Sequence, residues 1–134
     1  MTDLQLMQLA VEAREMAYAP YSGFRVGAAL LGKSGKVYKG CNVENAAYSP
    51  TNCAERTALF KAVSEGEQEF TAIAIVGGMS ETINDFCAPC GVCRQVLAEF
   101  CGKDFRFVLG NTNEIKTYTF EEILPFAFGK GDLE

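Results

Sequence analysis

Two short cysteine groups carry most of the chemistry this chain can do. Cys53-Ala54-Glu55 sets a carboxylate two residues from a thiol, and Pro89-Cys90-Gly91-Val92-Cys93 sets two thiols three residues apart. Thiols at that spacing in the first turn of a helix converge on one side, as ligands of a shared metal must. A helix N-terminus also offers unpaired N–H groups and partial positive charge, which favour the thiolate that binds zinc. Cys53, Cys90 and Cys93 would fill three tetrahedral positions and leave the fourth for water, which separates a catalytic zinc from a closed structural one. Three thiolates oppose the acidification of that water, so some compensation is needed. Arg56 is the candidate, because a guanidinium donating to a ligand sulfur withdraws charge from it. The alternative for Arg56 is an ordinary surface cation. Glu55 can reach a water on the metal without binding the metal, which is a general-base position. Without the cysteines it would read as a solvated first-turn Glu favoured by the helix dipole.

Composition narrows the chemistry further. The 134 residues include six cysteines and no histidine. Ser-His-Asp and Cys-His catalysis, Cys2His2 fingers and HExxH sites are thereby excluded together. The net charge is −5 with no Lys/Arg block, so nucleic acid is not an expected partner. No apolar run approaches the roughly 20 residues of a membrane span. Residues 1–17 carry Asp3 and Glu12 and lack the basic start and cleavage site of a secretion signal, so a cytoplasmic protein is expected. In a reducing compartment the cysteines read as ligands or buried thiols rather than disulfides. The length predicts one domain over 1–134.

The elements that must position these residues follow from periodicity and turn chemistry. Thr2 with Gln5 forms a capping box, and Leu6, Leu9, Ala10, Ala13 and Ala17 share one helical face, predicting a first helix that ends near Ala17. A turn over 18–23 leads to strands over 25–31 and 37–41, joined by Gly32-Lys33-Ser34-Gly35 as a hairpin. A polar loop over 42–52 precedes a helix over 53–63. An apolar strand over 70–76 and a looser stretch over 77–87 come next. A third helix from Cys90 is expected to place Val92, Val96, Leu97 and Phe100 on one side. A strand over 105–109, a turn at Asn111-Thr112-Asn113, a strand over 115–119 pairing back, and a short helix over 120–124 complete the chain. The class predicted is an α/β sandwich with helices packed on a mixed sheet. Asn42 and Glu44, two apart at a strand end, offer a donor and an acceptor that suit a pair of ribose hydroxyls. A polar loop satisfying its own backbone is the competing reading.

Asn42-Val43-Glu44-Asn45-Ala46, Cys53-Ala54-Glu55-Arg56-Thr57-Ala58 and Pro89-Cys90-Gly91-Val92-Cys93-Arg94-Gln95 resemble the small zinc-dependent cytidine deaminases. The likeness runs from the first helix to Leu124-Pro125-Phe126-Ala127-Phe128. It implies a three-layer sandwich whose mixed five-stranded sheet carries helices on both faces. It also implies hydrolytic deamination of cytidine or deoxycytidine in pyrimidine salvage, with one zinc per subunit on Cys53, Cys90 and Cys93. Water activated at the metal would attack C4 of the base, while Glu55 moves a proton to N3 and then to the departing amine. By the same resemblance Asn42 and Glu44 hold the sugar, Phe24 packs on the pyrimidine and Ala54 lines the substrate site. Phe128 reaches the site of a neighbouring subunit in a homotetramer. Cys87 reads as a free thiol, and Cys41 and Cys101 as core residues.

Three alternatives stay open at this point. A structural zinc module would take a fourth thiolate from Cys87 or Cys101 and need no Glu55. A thiol oxidoreductase would use Cys90-Gly91-Val92-Cys93 without metal. A blasticidin-type aminoglyconucleoside deaminase would look similar around the metal, with Asn42 and Glu44 favouring the ordinary nucleoside.

Overall fold

The longest strand, β3 (Phe70–Met79), occupies the middle of a five-stranded sheet in a computed structural model that describes residues 1–79, 83–84 and 86–133. Its run of small and branched apolar residues is buried on both faces, as a strand covered from two sides must be. On one side β1 (Phe24–Gly32) pairs with it antiparallel, and β2 (Val37–Cys41) pairs antiparallel with β1. On the other, β4 (Arg106–Gly110) runs parallel to β3, and β5 (Ile115–Thr119) returns antiparallel. The order is β2-β1-β3-β4-β5.

Strand alternation sorts the core into two layers. Ala29, Ala72, Ala74, Val76 and Val108 face Leu6, Met7 and Ala10 of α1 (Asp3–Arg14). Ala28, Leu30, Ile73, Ile75, Phe107 and Leu109 face α2 (Ala54–Ser64), α3 (Gly91–Ala98) and α4 (Phe120–Ile123). Helices therefore cover both faces. Two glycines set how closely they approach. A Cβ on Gly27 would stand 2.1 Å from the Ala10 carbonyl of α1, and one on Gly40 would stand 2.5 Å from the Ala54 carbonyl and the Ala58 nitrogen of α2. With hydrogen in their place, both helices lie directly on the sheet.

Several boundaries differ from the sequence expectation. The capping box of Thr2 and Gln5 is present, but α1 ends at Arg14 rather than near Ala17. The amides of Glu15, Met16 and Ala17 instead bond to carbonyls three residues back, the tightening common at helix ends. The buried stripe of α1 includes Met7 and Arg14; Arg14 donates from Nε to the Arg25 carbonyl (3.0 Å) and from Nη2 to the Gly78 carbonyl (2.9 Å). Strand β3 continues to Met79 because Val26, Arg25 and Phe24 pair with Gly77, Gly78 and Met79. The rest of the expected loose stretch lies partly outside the described residues. Val92 is exposed, and the buried side of α3 is formed by Cys93 and Leu97. No helix among the described residues is long and apolar enough to cross a membrane.

Candidate metal centre

The loop after β2 turns back on itself, so that Val43 and Asn52 exchange backbone hydrogen bonds of 2.9 and 3.0 Å. That closure leaves Cys53 as the N-cap of α2, in extended conformation, with its side chain making no cap bond. Thr57 secures it from below, donating both its amide (3.0 Å) and its hydroxyl (3.1 Å) to the Cys53 carbonyl. Asn52 donates in turn to the Thr57 hydroxyl at 3.1 Å. Cys90 is likewise the N-cap of α3 and likewise makes no cap bond. Both cysteines therefore sit one position before the helix proper, where the sulfur is free to point away from the axis.

The two helix starts meet at their sulfurs. Cys53 Sγ and Cys90 Sγ are 3.8 Å apart, Cys90 Sγ and Cys93 Sγ 3.4 Å, and all three lie within 4.8 Å of one another. Sulfurs about 2.3 Å from a tetrahedral zinc stand roughly 3.8 Å apart, so the spacing suits that ion. Ionisation points the same way. Hydrogen bonds from Cys93, then Arg56 and Cys90, hold the Cys53 thiol down to about 5 against the opposing cost of burial. Cys93 is pushed upward, because it gives its hydrogen bond to Cys53 and is itself buried. The Cys53 thiol is thereby favoured to ionise, and a cation held among the sulfurs would favour release of the proton that Cys93 keeps. Arg56 Nη2 donates to Cys53 Sγ at 3.2 Å, and its buried Nε has no hydrogen-bond partner among the described residues.

Glu55 follows Cys53 into α2 and is buried, 4% exposed. Loss of water around its carboxyl raises its pKa to about 7. It lines a cavity of about 210 Å³ that also takes in Phe24, Asn42, Cys53, Ala54 and Cys90. Thus the metal cluster, Glu55, Phe24, Asn42 and Ala54 come together on one hollow. Asn42 is engaged within the fold: its Oδ1 accepts from the Val26 amide (2.9 Å) and its Nδ2 donates to the Phe24 carbonyl (2.8 Å). One amide hydrogen and part of its acceptor capacity remain. Glu44 faces an adjoining hollow with Tyr21, Ser22, Tyr48 and Thr51, and Thr51 lines both hollows. Its Oε1 accepts from the amides of Tyr21 (3.0 Å) and Ser22 (3.1 Å) and its Oε2 from the Ser22 hydroxyl. The Ser22 hydroxyl, followed by those amides, keeps Glu44 below the usual carboxylate range.

Phe128 is not at this cavity. It is 59% exposed and, with fully exposed Phe126, borders a separate hollow against α4. Cys87 lines the cavity but stands outside the three-sulfur cluster, and burial pushes its thiol to about 12. Cys101 packs partly buried against the α2 and α3 side of the sheet and is likewise raised to about 12 by burial, while Cys41 is only partly buried. Sequence reasoning missed Val26, Thr51, Asn52 and Ala88 as lining residues. Thr51 and Asn52 left a weak signal, as polar residues directly before a ligand; Val26 and Ala88 are plain apolar positions brought in by the chain's path.

Residues 1–109 match a family model described as the cytidine and deoxycytidylate deaminase zinc-binding region. The chain is 52% identical over 129 residues to a cytidine deaminase of Halalkalibacterium halodurans, covering 96% of this chain and 95% of that one. A blasticidin-S deaminase of Bacillus cereus is 31% identical over 130 residues, covering 94% of this chain and 91% of that protein. Among solved structures, the cytidine deaminase of Burkholderia pseudomallei superposes with a TM-score of 0.87 at 48% identity, covering 96% of this chain and all of that one. A family defined by its zinc-binding region meets here three sulfurs already gathered at zinc spacing, and the chain belongs to the cytidine and deoxycytidylate deaminase family.

Proposed function

We propose that this protein is a zinc-dependent cytidine deaminase converting cytidine and deoxycytidine, with water, to uridine and deoxyuridine plus ammonia. The observation that carries the reading is the buried carboxyl of Glu55 on the same small cavity as the sulfurs of Cys53 and Cys90. Held by Cys53, Cys90 and Cys93, zinc supplies a Lewis acid that makes water a nucleophile near neutral pH. Arg56, donating to Cys53 Sγ, draws charge from the sulfurs and so limits how far three thiolates weaken that acid.

Glu55 does the proton work. Its carboxylate takes a proton from the attacking water and hands it to ring N3, which makes C4 more electrophilic. It then passes the second proton to the amino group, which leaves as ammonia. A carboxyl raised toward neutrality by burial both accepts and releases protons at working pH. Phe24 and Ala54 flank the ring, and Asn42 and Glu44 receive the sugar where the two hollows meet at Thr51.

Phe128 stands exposed and away from this cavity in its own chain, which leaves it available to enter the cavity of another copy. Phe128 from a neighbour completes it in a homotetramer with one zinc per subunit. The protein acts as one catalytic domain over 1–134, in the cytoplasm, in pyrimidine salvage. The test supplies purified, zinc-loaded protein separately with cytidine, deoxycytidine and blasticidin S, and follows product and ammonia. Turnover of both pyrimidine nucleosides at rates well above that of blasticidin S is expected. Turnover of blasticidin S alone, or of none, overturns the reading.

A further inference from the structure

Two side chains directly after the last cysteine of the metal centre lead away from it. Arg94 Nε donates to the carbonyl of Pro89, the residue before Cys90, at 2.7 Å, and its Nη1 donates to the Ile123 carbonyl at the end of α4 at 2.6 Å. Gln95 Nε2 donates to the Phe128 carbonyl at 2.9 Å. One rigid guanidinium thus spans the ligand loop and the base of the C-terminal segment, and the next residue holds the backbone of that segment's last phenylalanine. Between these anchors lies Phe126, with a left-handed backbone (φ 55°) that a non-glycine residue adopts at a cost. A segment in that conformation needs fixing from outside, and the bonds from Arg94 and Gln95 bracket it.

We propose that Arg94 and Gln95 are positioning residues, through which the metal-bearing helix of one subunit places Phe128 in the active site of its neighbour. The inference rests on the shared-site reading above. Through the C-terminal segment each residue acts on the site next door, while Arg94 also braces the ligand loop of its own chain. Lysine in place of Arg94 keeps the charge but lacks the planar fork that reaches two carbonyls. Leucine in place of Gln95 keeps much of the bulk and removes the donor. Gln95 is exposed, so this change leaves the core untouched.

Hybrid tetramers separate the two levels. One chain carries Phe128→Ala and keeps Glu55; the other carries Glu55→Gln and keeps its tail. Each parent is first shown to assemble, to hold zinc and to be nearly inactive. Hybrids of the two should recover activity at the Glu55 of the first chain; if they stay as dead as the parents, the shared site and this inference fail together. The second chain is then remade with Gln95→Leu, and separately with Arg94→Lys, beside Glu55→Gln. Because Glu55, Arg94, Gln95 and the ligands remain intact in the working chain, a purely local role for either residue leaves the hybrids unchanged. The inference expects KM for cytidine to rise about fivefold with a smaller change in kcat, the scale of one lost hydrogen bond. Active hybrids with unaltered KM for both changes, at equal zinc content, refute the positioning role while sparing the shared site.

Discussion

Glu55 is a carboxyl placed where the charged form is costly, and at this scale the proposed chemistry depends on it. Glu55→Gln preserves shape and removes the proton acceptor, so zinc content and fold should be retained while kcat falls by roughly 100-fold to 10,000-fold. Zinc analysis and steady-state kinetics on the same preparation check this; near-normal turnover contradicts it. The reach of Glu55 and Arg56 was legible in the sequence because adjacency to Cys53 limits where their side chains can go. The surroundings of Glu44 were not, since its partners Tyr21 and Ser22 lie more than twenty positions away. Those partners make a pH prediction. Glu44 has its pKa lowered in the fold, so its contribution to stability is complete above its unfolded pKa and is lost as pH falls through the lower, folded value. Ser22→Ala removes the largest cause of the lowering, so Glu44 should titrate at higher pH, and the stability lost on acidification should be smaller and complete at a higher pH. A carbon-detected NMR titration of the Glu44 carboxyl reads this directly, and identical curves for the two proteins contradict it.

Between residues and fold stand the elements, where helix starts matter most. That α2 and α3 begin at cysteines followed the expected spacing, yet Cys53 and Cys90 are N-caps, one step outside the first turn. The placement gives their side chains the freedom a ligand needs, and periodicity cannot locate a cap whose side chain makes no cap bond. Strand β3 ran past its expected end for a related reason: pairing with Phe24 and Arg25 is a non-local event that an apolar count over 70–76 does not register. Similarly, Val92 has the composition of a core residue and is exposed, because the direction α3 faces is set by Cys93 and Leu97. Gly40 tests how far β2 controls the site. An added Cβ would strike the backbone of α2 at Ala54 and Ala58, on either side of Glu55. Gly40→Ala should therefore cost about 3 kcal/mol, the upper end for overpacking, and lower kcat by displacing the helix that carries Cys53 and Glu55. Urea denaturation with an unchanged m-value measures the first, and an unshifted midpoint contradicts it.

As a whole molecule, the chain buries its sheet under helices on both faces and still leaves large apolar side chains in the open. Phe126 is fully exposed, and Tyr48, Phe128 and Val92 are each more than half exposed. In the proposed homotetramer some of these side chains would be covered by neighbouring subunits. The proposed homotetramer should give a four-chain mass in native mass spectrometry, and truncation before Phe126 should lower activity even where assembly survives. A fully active monomer contradicts it. The layered class and its mixed sheet were legible because helix and strand alternate after the opening hairpin, and β3, α3 and β4 form the unit that yields a parallel pair, but the central place of β3 between β1 and β4 depends on contacts across the sheet that no local pattern specifies. The deamination chemistry needs a catalytic rather than a structural zinc, and X-ray absorption at the zinc edge of the purified protein distinguishes the two. Three sulfurs and one oxygen or nitrogen, at about one zinc per chain, are expected. Four sulfurs around the metal, or protein that holds no zinc after growth and repurification in its presence, would contradict it.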